Sequence, residues 1–285
     1  MTIDPPPKEV MVFDIQLQGR IIAYQSLFVQ PPPRTHNTSG RSTSDFSFSA
    51  ICGIISFMIN RPADQPVSPR IQPVTIDELR RALARPLPGL SAQLRMAPAY
   101  RAEALTDRTP PTDPKEAGVL VLLYPYDGQL FFPLTQRTDT VESHKGQISL
   151  PGGAREANES TQDTALRETC EELSVCPDSW NILGRLTPLY IPPSGFLISP
   201  YVACTSTRPV FNPDPVEVAE LIETPLALLL EPATVKWEVW RLRDTLVEVP
   251  FFHIYGHKVW GATAMVLSEL VVLLREAAKN GLPRD

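Results

Sequence analysis

The chain has 285 residues, a formal net charge of −6 and 43% hydrophobic residues. That length accommodates one large domain or two small ones, and the apolar fraction is sufficient for a sizeable core. Because no basic stripe accompanies the negative charge, we expect no nucleic-acid partner. An anionic substrate needs local cations to bind to such a protein.

Residues 1–73 differ in composition from the rest of the chain. They hold ten of the thirty-one prolines, with clusters of Ser, Thr and Asn such as Thr35–Gly40. This composition predicts a loosely ordered extension. Its apolar run, Phe46–Ile59, is shorter than the roughly 20 residues of a membrane helix, so we expect no membrane anchor. We expect residues 1–73 to be dispensable, or an upstream start-site artefact, and place the functional domain in residues 74–285.

The domain is expected to open with a helix and a β-hairpin. Thr75 and Glu78 have the spacing of a capping box, which predicts the start of a helix. Asp127-Gly128 is a strong hairpin signal between two apolar runs. The predicted elements of this part are a helix over 75–84 and strands over 118–124 and 129–135.

Three carboxylates are predicted to share one face of a helix that follows a glycine loop. Ser160 and Asp163 resemble a second capping box, which predicts a helix over 160–173. Positions i, i+3 and i+4 of a helix are neighbours, and like charges there destabilise it. The carboxylates with this spacing are Glu168, Glu171 and Glu172. A hard divalent cation, which prefers oxygen ligands, explains such a cluster.

The loop before this helix is suited to a close approach to phosphate. The pair Gly152-Gly153 permits positive φ and leaves the backbone uncovered. Arg167 can reach back to Glu159 and fix the loop against the helix, because an arginine fork holds a carboxylate with two parallel hydrogen bonds. We expect Arg167 to lie on a different part of the helix surface from Glu168.

The remainder of the chain alternates apolar runs with turn residues. It predicts strands over 182–191, 199–205, 236–242 and 246–254, and a closing helix over 261–278. Strands mixed with few helices predict an α/β fold in which a mixed sheet lies between helices.

The cysteines and two of the histidines give no metal-site signal. The cysteines are Cys52, Cys170, Cys176 and Cys204. No Cys-x-x-Cys pair occurs, so no zinc site is expected. We interpret the thiols as buried and reduced, which favours a cytoplasmic location. His253 and His257 fall in a strand-like run and are not expected to bind metal. The oligomeric state stays open, with a homodimer as one alternative.

Residues 153–175 resemble the Nudix box, the signature of hydrolases that cleave a nucleoside diphosphate linked to another group. The matching positions are Gly153, Glu159, Arg167, Glu168, Glu171 and Glu172. Thr169 and Ser174 stand where an aliphatic residue and a glycine are usual, but neither change removes a metal ligand. The resemblance implies a Nudix α/β/α sandwich with a mixed sheet.

The same resemblance implies a metal centre and the roles of its residues. One to three Mg²⁺ or Mn²⁺ ions would be held by the carboxylates of Glu168, Glu171 and Glu172 and the carbonyl of Gly153. The catalytic residues would be Glu168, Arg167 and Glu171, with Glu159 as structural support. The family uses no single fixed general base, and Glu220 is a weaker alternative from outside the box.

A second resemblance, to the extra motif of the coenzyme A diphosphatase branch, narrows the substrate. The matching residues are Leu134, Thr135, Arg137, Gly146, Pro151, Gly152 and Gly153. It implies cleavage of coenzyme A or acyl-CoA to 4′-phosphopantetheine and adenosine 3′,5′-bisphosphate. The implied substrate-binding residues are Arg137, His144, Lys145 and Gly152. Glu142 stands where the motif has Arg, which keeps open a hydrolase of ADP-ribose or NADH. A non-catalytic Nudix domain that senses a nucleotide is a separate alternative, against which the intact carboxylate set argues.

Overall fold

A computed structural model describes residues 16–17, 20–21, 74–98, 110–138, 146–176, 180–242 and 245–280. The chain divides into two compact units, Met1–Pro66 and Val67–Asp285. In the first unit, strands β1 (Gln16–Leu17) and β2 (Arg20–Ile21) form an antiparallel pair. The predictions for the rest of residues 1–73, and for His144 and Lys145, lie outside the described residues.

A mixed eight-stranded sheet forms the centre of the second unit, with the order β10-β4-β3-β9-β7. Only the pair β3–β9 is parallel among these, and β5, β6 and β8 pair with β4, β3 and β9. The strands are β3 (Lys115–Tyr126), β4 (Gln129–Arg137), β5 (Ile148–Ser149), β6 (Gly152–Ala154), β7 (Asn181–Arg185), β8 (Leu189–Ile191), β9 (Phe196–Cys204) and β10 (Val218–Pro225). A separate antiparallel sheet contains β11 (Val235–Leu242), β12 (Thr245–Ile254) and β13 (His257–Val259).

Helices cover the two faces of the large sheet. They are α1 (Ile76–Leu83), α2 (Leu90–Gln93), α3 (Thr161–Leu173) and α4 (Gly261–Asn280), with 3₁₀ turns at Leu94–Met96, Leu226–Leu230 and Pro232–Thr234. Within the described residues, no helix is both long enough and apolar enough to span a bilayer.

Alternate residues of β3 face opposite layers, as strand geometry requires. Leu120 and Leu122 pack with Leu173 of α3. Val121 and Leu123 belong to the larger cluster that contains α4. The sheet therefore lies between α3 and α4, which confirms the predicted α/β/α sandwich.

Most predicted elements are confirmed within a few residues, but one strand is wrong in its continuity. The run 182–191 contains two strands, since β7 ends at Arg185 and β8 begins at Leu189. Between them, Thr187 donates from its backbone nitrogen (3.1 Å) and its hydroxyl (2.7 Å) to the fully buried carboxylate of Glu269 on α4. This hydrogen bonding to α4 separates the two strands.

The interpretation of all cysteines as reduced thiols is wrong. Cys170 and Cys176 form a disulfide that links the last turn of α3 to the segment after it. Cys204 is free and buried, as expected. Since the disulfide contradicts the reduced-thiol argument, that argument no longer supports a cytoplasmic location.

Candidate active site

The glycine loop lies against both the sheet and α3 because its residues lack side chains. Gly152 has φ +148°, and a Cβ there would collide with the carbonyl oxygen of Gly118 and with Val119. A Cβ at Gly153 would overlap the carboxylate of Glu168. The loop backbone is thus held directly beside the first of the predicted metal ligands.

Helix α3 packs closely on β3 at Gly118. A Cβ at this position would collide with the carbonyl oxygen of Thr161 and the nitrogen of Ala165. The helix starts where predicted, because the Ser160 hydroxyl accepts from the Asp163 backbone nitrogen and the Asp163 carboxylate accepts from the Ser160 nitrogen. Both ends of this capping box fix the start of the carboxylate-bearing helix.

The two departures from the Nudix box are accommodated by hydrogen bonds. Thr169 is fully buried, and its hydroxyl donates to the Ala165 carbonyl oxygen at 2.7 Å. Ser174 takes the left-handed C-cap conformation at φ 56° and donates to the Asn212 carbonyl oxygen at 2.8 Å. That conformation favours glycine, so the contact with Asn212 helps hold serine there.

Arg167 is surrounded by three carboxylates. Its Nε and Nη2 donate to the two oxygens of Glu159 at 3.1 and 3.0 Å, which confirms the predicted fork. Its Nη1 lies 2.9 Å from Glu168 and 2.8 Å from Glu171. The expectation that Arg167 lies apart from Glu168 is therefore wrong, because the long side chain folds back along the helix. The hydrogen bond from Arg167 lowers the pKa of Glu159 to about 2.

Two of the three predicted ligands converge on the glycine loop, whereas the third faces outward. Glu172 has a side chain only 4% exposed, and its Oε1 lies 3.9 Å from Nη1 of Arg137. The Gly152 backbone N–H also lies close enough to its carboxylate to lower its pKa. Glu168 lies against Gly153. The side chain of Glu171 is 59% exposed and directed to Arg167.

Glu168 and Glu172 together bring more negative charge to the glycine loop than the nearby cations neutralise. Burial above all raises the pKa of Glu172 to about 8; Arg137 opposes this rise, and the charges of Glu168 and Glu217 add to it. Burial is also the largest cause of the raised pKa of Glu168. Such desolvated like charges are favourable only with a cation between them or a proton on one of them.

The donor set fits a hard divalent cation. Oε2 of Glu172 is a buried oxygen without a hydrogen-bond partner in the part of the chain described. Carboxylates and a backbone carbonyl are the ligands that Mg²⁺ and Mn²⁺ prefer. Across the described ranges, however, no three His, Cys, Asp or Glu side chains form a ready-made metal group. Glu168, Glu172 and Gly153 therefore provide the core of the site, and Glu171 would have to turn from Arg167 to join it.

Sequence reasoning did not select Glu217, whose charge acts on both Glu168 and Glu172. This residue comes just before β10, and its carbonyl oxygen accepts from the Thr138 nitrogen at 3.1 Å. The nearby candidate base Glu220 instead lies 3.5 Å from Nε2 of His257. The Glu217-Val-Ala-Glu220 run was a signal, but only the pairing of β10 with β4 shows which glutamate approaches α3.

A cavity of about 570 Å³ adjoins the glycine loop on the α4 side of the sheet. Its walls come from β3, β6, the β8–β9 hairpin and the first turns of α4. Arg137, a predicted substrate-binding residue, lines this cavity and also lies near Glu172. The carboxylates of α3 and the cavity therefore meet at Arg137 and the glycine loop.

Fold and site together define a Nudix-type hydrolase. The family model described as NUDIX domain matches residues 114–242. The Nudix hydrolase NudL of Photorhabdus laumondii is 33% identical over 138 residues, which cover 48% of this chain and 73% of that protein. The human mitochondrial coenzyme A diphosphatase NUDT8 is 32% identical over 168 residues, covering 56% of this chain and 70% of its own.

Among solved structures, the M. smegmatis Nudix hydrolase RenU is 17% identical with a TM-score of 0.39, covering 60% of this chain and 89% of that one. On the sequence matches, the chain belongs to the Nudix hydrolase family, whose members act on phosphoanhydride bonds.

Proposed function

We propose that this chain hydrolyses the diphosphate bond of coenzyme A or acyl-CoA with Mg²⁺ or Mn²⁺, giving 4′-phosphopantetheine and adenosine 3′,5′-bisphosphate. The observation that carries the proposal is the meeting of Glu168, Glu172 and Arg137 at the Gly152-Gly153 loop. The coenzyme A motif around Arg137 and the relationship to human NUDT8 support the choice of substrate.

Different residues of the site would bind the cation and the diphosphate. Glu168, Glu172 and the Gly153 carbonyl would hold the cation, with Glu171 as a further ligand. A divalent cation supplies neutralisation of phosphate charge and a more acidic water. The glycine loop lets the backbone approach the diphosphate, and Arg137 adds a positive charge beside it.

Arg167 and Glu159 are positioning residues, which hold the glycine loop and α3 in place. Their fork ties the segment before α3 to the helix, and Nη2 of Arg167 also donates to the Ala154 carbonyl oxygen at 3.3 Å. The loop and the carboxylates are thereby held at a fixed separation. Preorganised charges of this kind stabilise a transition state without reorganisation during the reaction.

One sequence feature favours a second substrate class. Glu142 replaces the arginine of the coenzyme A motif, and the loss of a cation weakens the case for a substrate with an additional 3′-phosphate. ADP-ribose and NADH carry no such phosphate and keep the diphosphate.

The cytoplasmic location and the homodimer stay predictions.

The test is product identification with the full chain. Purified protein is incubated with Mg²⁺ or Mn²⁺ and coenzyme A, ADP-ribose or NADH, and products are identified by mass spectrometry, with EDTA as the control. Release of 4′-phosphopantetheine at the highest kcat/KM supports the proposal. Turnover of ADP-ribose or NADH alone moves the assignment to the second class, and the absence of metal-dependent turnover favours a non-catalytic nucleotide sensor.

A further inference from the structure

The cavity lies on the opposite side of the sheet from the catalytic helix. Ala117 and Val119, on the α4 face of β3, form part of its floor, and Ile198 lies next to Ala117 in the parallel pair β3–β9. Trp260 and the first turn of α4 cover it. A substrate whose diphosphate lies at the glycine loop therefore has one arm on this side of the sheet.

The cavity suits an uncharged arm. Among the described residues that line it, Arg137 is the only charged one, and it lies at the end next to Glu172. Away from the loop, the large members of the walls are Ile191, Phe196 and Trp260, and the polar members Ser194 and Thr263 are uncharged. A volume of about 570 Å³ falls within the range that holds small-molecule ligands.

We propose that this cavity receives the pantetheine arm of the substrate, and that Phe196, Trp260 and Ala262 determine the size of the acyl group it accepts. The inference rests on the proposed coenzyme A diphosphatase function. Pantetheine is a flexible chain with two amides and a thiol or thioester, so it combines apolar surface with hydrogen-bonding groups. The backbone N–H groups of the first turn of α4 have no partners within the helix, and they can donate to the amide carbonyl oxygens.

The adenosine 3′,5′-bisphosphate arm fits less well. Its 3′-phosphate would enter a cavity whose only cation among the described lining residues is already beside the carboxylates. Burial of a phosphate without a paired cation is strongly unfavourable. The N-terminal end of α4 attracts anions, which is why the adenosine arm is included in the test as the competing ligand.

The first measurement is of binding, without turnover. S-Hexanoyl-4′-phosphopantetheine and adenosine 3′,5′-bisphosphate are titrated separately into the full chain in EDTA by calorimetry. Ala262→Trp places a large side chain in the cavity, and Ala278→Trp is the matched control on the same helix, at another half-buried alanine. We expect Ala262→Trp to weaken binding of the hexanoyl ligand at least about tenfold, which is the equivalent of two buried methylene groups. Ala278→Trp should bind this ligand as the wild type does.

The second measurement follows turnover along an acyl series. With wild-type protein, kcat/KM should rise at least about tenfold from coenzyme A to hexanoyl-CoA, and Phe196→Ala should shift the optimum to longer acyl groups. Phe196→Ala carries the test if Ala262→Trp does not fold. Loss of adenosine 3′,5′-bisphosphate binding instead, or no effect of either variant, would overturn the cavity assignment. If Ala262→Trp weakens binding of the hexanoyl ligand, the cavity assignment is supported even when coenzyme A is not cleaved. The lack of cleavage would then refute the proposed function alone.

Discussion

Arg167→Ala should destabilise the domain far more than the loss of an ordinary surface arginine. The Arg167 side chain is 25% exposed and that of Glu159 16%, and the two share two hydrogen bonds. Breaking one partner of a buried ion pair costs about 3–5 kcal/mol, which partial exposure reduces to about 2–3 kcal/mol. In a domain of this size, that corresponds to a fall in Tm of roughly 4–12 °C.

The matched control is Arg80→Ala. Arg80, on α1, pairs with Asp77 at 3.0 Å, but both side chains are more than a third exposed, at 42% and 80%. Such a pair contributes about 0–1 kcal/mol. Arg167→Lys should fall between the wild type and Arg167→Ala, because lysine keeps the charge but not the fork.

The assay is urea unfolding of the full chain and the three variants in EDTA, so that metal binding does not contribute to stability. If Arg167→Ala loses no more stability than Arg80→Ala, the fork does not hold the loop to α3. The reasoning about its role in the site would then be refuted.

Three further predictions concern acid stability, the disulfide and packing. The lowered pKa of Glu159, about 2 against about 4.3 unfolded, stabilises the fold above pH 4, and this contribution is lost as the pH falls from about 4 to 2. Glu159→Gln should remove that part of the urea midpoint's pH dependence, and an unchanged profile would contradict it. Replacement of Cys170 and Cys176 by Ser should lower the free energy of unfolding by about 2 kcal/mol, because the disulfide closes only a short loop. Peptide mass mapping without reductant checks the disulfide, and free thiols would contradict it. Gly118→Ala should lower the free energy of unfolding by about 3 kcal/mol, because the added Cβ overpacks against α3. At Gly128, in a turn, an added Cβ would meet nothing within 4 Å, so Gly128→Ala should lower it by only about 1 kcal/mol, through the positive φ. Equal urea midpoints for the two variants would refute the packing argument.

The parts of the fold that local chemistry determines could be predicted from the sequence. The start of α3 follows from the Ser160 and Asp163 capping box, and its observed range differs from the prediction by one residue. The hairpin at Asp127-Gly128 forms because both residues adopt positive φ, 49° and 71°. These signals act within a few residues, so they can be recognised in the sequence itself.

The parts that depend on distant contacts could not be predicted. Strand β10 was missed because its polar and apolar residues acquire a pattern only through pairing with β4. Thr187 divides a continuous apolar run because Glu269, far along the chain, accepts its hydrogen bonds.

The candidate site shows the same division. The Arg167–Glu159 fork lies within one motif and could be predicted, whereas the approach of Glu217 to Glu168 depends on the tertiary fold. The Cys170–Cys176 bond depends on how the chain turns after α3. A spacing of six residues does not predict that turn.

The proposed metal-dependent hydrolysis depends on the carboxylates gathered at the glycine loop. Its most direct test compares kcat/KM for coenzyme A in Mg²⁺ between wild type, Glu172→Gln and Glu231→Gln, the last being an exposed glutamate in the turn before β11. Glu172→Gln should lose at least about a hundredfold, equivalent to about 2.7 kcal/mol of transition-state stabilisation, while Glu231→Gln keeps wild-type activity. Full activity in Glu172→Gln would contradict the role of Glu172 as a metal ligand.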